Sequence, residues 1–181
     1  MSVARFLMLL ALVVWVGGII FFAFVVAPAV FSVLPTRQLA GSVVQRSLSS
    51  LHWIGIVCGG VFLIASAFNS YSATGTPQPS ALRNLLVLGM MALTFVSQTV
   101  GAAKMDTLRA AMGEIDKVPV DDVRRVAFNN LHQWSTRIEV VVLLLGLATL
   151  YFIAREWSVP AMNRRNAQVL TMPSPGRSAR V

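Results

Sequence analysis

From Arg5 to Arg37 the chain carries no formal charge, and the same holds from Arg46 to Arg83 and from Arg83 to Lys104. A fourth gap, Glu139 to Arg155, holds 15 uncharged residues. A bilayer core of about 30 Å needs about 20 helical residues. The gaps therefore predict membrane spans at about Phe6–Val26, Leu51–Tyr71, Leu85–Ala103 and Trp134–Ala154. The last is long enough only if it includes Glu139, and with it Arg137. Backbone polar groups in lipid must pair within their own segment, so the spans are expected to be α-helices. The composition and the flanking loops do not suit the shorter alternating strands of a barrel.

Bulk composition excludes the main alternatives. Of 181 residues, 56% are hydrophobic and only 12% charged, with a mean hydropathy of +0.70. An ordinary soluble domain has about 25% charged residues, and disorder requires polarity. The net charge of +8 is distributed among termini and loops. That pattern suits lipid headgroups and topology control, with the bilayer as partner, better than a nucleic-acid groove. The first apolar stretch ends near Ala27-Pro28-Ala29, which superficially resembles a signal-peptidase site. Its 21 residues from Phe6 to Val26 exceed the roughly 7–15 of a signal h-region, so it reads as a retained span. The fold expectation is an all-α, four-helix membrane bundle in one domain, 1–157, with a basic, disordered tail over 158–181.

The connections differ in character. Ser72–Ser80 is a short breaker-rich loop. Pro35-Thr36 ends the first helix, and Thr36 can cap a following amphipathic helix that runs through Ser47, ahead of the second span. The third helix is expected to leave the membrane and continue to Ala111, with a break over Gly113–Pro119. Asp121 and Asp122 then place negative charge at the start of the fourth helix, where the dipole favours it. A weak likeness at an offset of 80 pairs Leu51-His52 with Leu131-His132. An even span count puts both termini on one side. Basic residues number seven on that side and eight on the other, so the positive-inside rule is tied. The acid-poor tail, which begins at a span end, favours cytoplasmic termini in a cell membrane.

The densest chemistry opens the fourth span. Helical spacing aligns His132, Ser135, Thr136 and Glu139 on one face at i, i+3, i+4 and i+7. Glu139 is expected one or two turns inside the membrane, where a lone carboxylate is costly and an ionisable group reads as functional by default. Its candidate partners are Arg137, Arg46, His52 on the second helix, and Gln98 on the third. It reads either as a proton or cation site, or as a polar clamp between helices. His52 and His132 are the only histidines. With Glu139 they offer a two-histidine, one-carboxylate set of the kind that suits zinc or iron, and histidines can also ligate haem; capping of helices by interfacial histidines is the plainer reading. Gln98 and Thr94 share a face and read as helix glue or as the lining of a polar cavity. Gly17 and Gly18, with Gly55 and Gly59, read as close helix-packing positions. Cys58 lacks a second cysteine and reads as a packed membrane thiol. The chain contains no G-x-S-x-G, P-loop, H-E-x-x-H or C-x-x-C motif, which points away from catalysis.

Trp15-Val16-Gly17-Gly18, leading through Phe21-Phe22 to Ala27-Pro28-Ala29-Val30-Phe31, and Phe128-x-x-Leu131-His132-x-x-Ser135 together resemble the transmembrane-protein-205-like family of small membrane proteins. The resemblance covers about Leu7 to Ile153. It implies four spans, no established enzymatic activity and, for bacterial members, an unknown role. Arg137 and Glu139 depart from that pattern, where neutral residues are expected. The Trp-x-Gly-Gly of the first span is also similar to copper-resistance membrane proteins and to four-helix haem-linked protoporphyrinogen oxidases. Those carry a histidine in the first span, which this chain lacks.

Three functional expectations follow. The first is a non-enzymatic integral membrane protein, an accessory or small-solute-handling component. The second is a metal- or haem-binding redox protein built on His52, His132 and Glu139. The third is a small proton-coupled transporter working as a homo-oligomer, because four helices leave little room for a private pathway.

Overall fold

The computed structural model describes residues 3–76, 81–113 and 117–158. Four long helical rods make up almost all of it: α1 (Val3–Val33), α2 (Arg37–Thr74), α3 (Leu82–Met112) and α4 (Val123–Ser158). Each is long and apolar enough to cross a bilayer. No strand occurs among the described residues. The predicted tail, from 159 onward, lies outside them, as do parts of the predicted loops at 77–80 and 114–116.

The helix ends follow local chemistry. Thr36 is extended at φ −130 and its hydroxyl accepts from the Leu39 N–H at 3.2 Å, which starts α2. Gly75, at φ 74, closes α2 by donating its N–H to Tyr71 O at 2.9 Å. Gly113, at φ 66, closes α3 in the same way on Arg109 O. A left-handed residue at this position is cheap only without a Cβ. In front of α4, Asp122 Oδ1 accepts from the Arg124 N–H at 2.8 Å.

Two rods contain a π turn. In α1 it spans Phe22–Val26, directly before Pro28. Proline has no N–H to offer the carbonyl four residues back, and its ring crowds that carbonyl. The helix widens there, with Ala27 N–H reaching back to Phe22 O. In α3 the π turn spans Ser97–Ala102 and contains Gln98.

Each helix packs on its neighbours in sequence, and α4 returns to α1, which closes a ring of four. The central seam is made of large side chains set against glycines. Trp15, 1% exposed, lies over Gly55 and Gly59 of α2, and Gly146 of α4 receives Val16 and Met90. Leu12, Phe62, Val87, Val142 and Ile153 complete the interior. At the end nearest the termini, Ser66 Oγ donates to Asn84 Oδ1 at 2.8 Å, and Arg83 Nε donates to Ser66 Oγ at 3.2 Å.

The outward faces are apolar as well. Phe24, Val57, Ile64, Phe68 and Leu144 all project away from the bundle. Only 22% to 33% of each candidate span is covered by protein. A surface of that kind needs lipid to cover it, so the fold is a multi-pass membrane bundle. The offset-80 likeness does not extend to environment, because His52 is buried and His132 exposed.

Candidate functional site

His52 lies on the buried face of α2, in the half of the bundle away from the termini, and both of its ring nitrogens are engaged. Nε2 is 3.0 Å from Glu139 Oε2 on α4, and Nδ1 is 3.0 Å from Gln98 Oε1 on α3. Gln98 Nε2 in turn donates to Ser49 Oγ at 2.6 Å. The side chains of His52 and Glu139 are 5% and 18% exposed. Helices α2 and α4 face each other across the ring rather than side by side. At this level the interior is therefore bridged by polar side chains, as it is by Ser66 and Asn84 at the other end, with the large apolar side chains between them.

The donor and acceptor inventory constrains the protons. With Gln98 Oε1 facing the ring, Nδ1 must carry a hydrogen. A bare Nε2 lone pair set against a carboxylate would repel, so one proton has to lie between Nε2 and Oε2. It belongs either to an imidazolium facing a carboxylate or to a carboxylic acid facing a neutral imidazole. Rotating the Gln98 amide by a half turn presents its NH2 to Nδ1, and Ser49 can then donate to Oε1. The ring in that arrangement needs a proton only at Nε2. The four side chains thus accommodate two protonation states that differ by one proton, with no backbone movement.

The other predicted site residues are placed as follows. Ser135 meets Ser97 across the α3–α4 contact, Oγ to Oγ at 3.4 Å. His132 is exposed on α4 and its ring stacks on Phe128 at 6.5 Å between centroids. It does not join His52 and Glu139, and no three His, Cys, Asp or Glu side chains converge among the described residues. The two-histidine, one-carboxylate set is thus not assembled, and neither nitrogen of His52 is left to ligate a metal or haem iron. Arg137 turns outward, with its guanidinium over the Trp134 ring at 5.7 Å. Thr94 is buried, its hydroxyl has no hydrogen-bond partner among the described residues, and it does not join Gln98. Among the glycines, a Cβ on Gly18 would press on Leu51, one on Gly55 on Trp15, and one on Gly59 on Met91 and, less closely, on Trp15. A Cβ on Gly17 would meet nothing within 4 Å, so Gly17 is not a close-packing position.

Beyond this group, a cleft of about 390 Å³ opens between α2 and α3, with Ser49 and Gln98 in its wall. Gln45 spans it, donating from Nε2 to Asp106 Oδ1 at 2.6 Å and accepting at Oε1 from Arg109 Nη1 at 2.6 Å. Sequence reasoning missed Gln45, Ser49, Asp106 and Arg109 as parts of the site. The signal was present, because Ser42, Gln45, Arg46 and Ser49 recur at i, i+3, i+4 and i+7, and His52 extends the stripe by one more turn.

Neither the curated proteins nor the solved structures contain a match to the chain. One family does match, over residues 10–114. That stretch holds every residue of the cleft together with His52 and Gln98, and stops short of Glu139. With more than half of its length matched, the chain belongs to the family described as Domain of unknown function (DUF4149).

Proposed function

We propose that this protein is a proton-linked, small-solute-handling membrane component whose working group is the proton shared by His52 and Glu139. The observation that carries the reading is the 3.0 Å contact between Nε2 and Oε2, buried in an intramembrane setting where ionisable pairs commonly mark proton pathways. The Gln98 amide and the Ser49 hydroxyl supply the means to load and unload that proton, and the cleft supplies the path to water. A purely structural clamp is the second reading, favoured by the reach of the pair across the ring. A metal or haem role draws less support, because both nitrogens of His52 are occupied.

The motifs at Trp15–Gly18 and Ala27–Phe31 support kinship with the transmembrane-protein-205-like proteins. Cytoplasmic termini, supported by the acid-poor tail, would open the cleft on the opposite side of the cell membrane.

Proteoliposomes test the reading. A potassium diffusion potential drives protons inward, and a trapped pH dye reports them. Wild-type protein should pass protons, and Glu139→Gln or His52→Asn should abolish this while the elution profile in detergent is unchanged. Equal proton movement in wild type and Glu139→Gln, or none above that of empty liposomes, overturns the reading.

A further inference from the structure

We propose that the cleft between α2 and α3 is a binding site for a small oxyanion, a carboxylate or phosphate group. The site stands on its own geometry. Only its designation as the solute of the His52–Glu139 pair rests on the proton-linked reading above.

Two guanidinium groups, those of Arg46 and Arg109, line the cleft against a single carboxylate, Asp106. Asp106 is already engaged by Gln45 and lies 3.9 Å from Arg109 Nη1. The local balance is one uncompensated positive charge.

Arg109 is held firmly. Its guanidinium stands over the Phe128 ring at 5.5 Å, and Nη1 donates to Gln45 Oε1. The missing Cβ of Gly41 leaves room for it, since a methyl group there would come within 3.3 Å of Nη2. Its buried Nε nonetheless has no acceptor among the described residues. A buried donor without an acceptor is a standing penalty, and turning the guanidinium toward the cleft would let a ligand oxygen remove it. The Arg46 side chain has no hydrogen-bond or ion-pair partner among the described residues. Guanidinium pairs of this kind suit planar or tetrahedral oxyanions, because each presents a fixed fork of donors to several acceptor oxygens. The Ser49 hydroxyl, which accepts from Gln98 Nε2, keeps its own hydrogen as a further donor in the same wall.

The position of the cleft gives the binding a consequence. Gln98 lies in the cleft wall and also touches His52. An anion in the cleft is therefore one side chain from the shared proton, and its charge favours the extra proton on the His52–Glu139 pair.

The oxyanion can be free in solution or carried by a lipid headgroup, and the test separates these sources. Protein is placed in nanodiscs of phosphatidylcholine alone, and inorganic phosphate and acetate are titrated by calorimetry. In parallel, nanodiscs doped with phosphatidylglycerol are used, and the lipid retained is read by native mass spectrometry. Saturable binding of phosphate or acetate that weakens about tenfold in Arg46→Gln, the loss of about one charge-assisted contact, supports a free oxyanion. Selective retention of phosphatidylglycerol that is lost in Arg46→Gln supports the headgroup. Arg46 is exposed, so this variant keeps the fold; Arg109→Lys serves as a second variant that retains charge but loses the fork. Absence of both kinds of binding, or binding unchanged in both variants, overturns the proposal. Binding that survives while Glu139→Gln leaves proton movement intact sinks the proton reading alone.

Discussion

The indole of Trp15 lies so close to Gly55 that a methyl group on that glycine would overlap Nε1 of the ring. Trp15 is almost completely buried, and it touches Gly59 one turn further along α2. It therefore fixes both the distance and the rotation of α1 against α2. Gly55→Ala should cost about 1–3 kcal/mol by overpacking, read as a lower unfolding midpoint in detergent micelles. Gly17→Ala, with open space around it, should leave the midpoint unchanged or slightly raised, since alanine is the better helix former.

Glu139 and His52 should respond as one unit. Glu139→Gln replaces a carboxylate with an amide that holds no transferable proton, so the 15N resonances of His52 should move in bilayer NMR spectra. Those of His132, which stacks on Phe128 elsewhere on α4, should not. Glu139→Leu leaves a buried ring nitrogen without its partner and should destabilise the bundle by about 1–3 kcal/mol. Arg137→Gln, outside the group, should not.

The start of α4 should be acid-sensitive. The Arg124 side chain, followed by the Arg124 backbone N–H, holds the Asp122 carboxyl down to about 2 from its ordinary 3.8. The folded form thus prefers the carboxylate. This contribution to stability is fully present above about pH 4 and is lost as pH falls through about 2. Amide hydrogen exchange over Val123–Phe128 should accelerate across that window. Asp122→Asn should remove this part of the pH dependence, because asparagine does not ionise.

Gln98 should matter through its ability to turn over. Gln98→Glu offers the ring an acceptor at either oxygen and adds a carboxylate, so it should hold His52 doubly protonated. Gln98→Leu removes the Nδ1 partner and the link to Ser49 together. Proton movement in proteoliposomes should fall in both variants. The His52 resonances should shift toward the imidazolium pattern only in Gln98→Glu.

The four long apolar helices were legible in the sequence because charge is excluded from lipid whatever the packing. The gaps bounded by Arg5, Arg37, Arg46, Arg83 and Lys104 therefore located three helices, and the gap after Glu139 located the fourth. Partner choice was less legible. Four residues were candidates for Glu139, and spacing along one helix cannot tell which face of another helix turns inward. That rotation is set by the fit of Trp15 to Gly55 and Gly59, and of Val16 and Met90 to Gly146. His132 shares a helical stripe with Glu139 but lies about two turns away, near the end of the bundle, where it is exposed. The π turn that carries Gln98 contains no proline, and nothing in its sequence announced it. The turn before Pro28 could have been anticipated from the missing N–H. The cleft residues formed a readable polar stripe on α2, but its significance emerged only with α3 alongside.

The outward sides of the four rods are held by solvent preference alone, with hydrocarbon as the solvent. Leucine, isoleucine, valine and phenylalanine are nearly interchangeable there, so random drift should scramble those positions between distant cousins of this chain. What stays recognisable over long divergence should be the narrow inner strip of glycines, the tryptophan lying on them, and the few hydrophilic groups at one end.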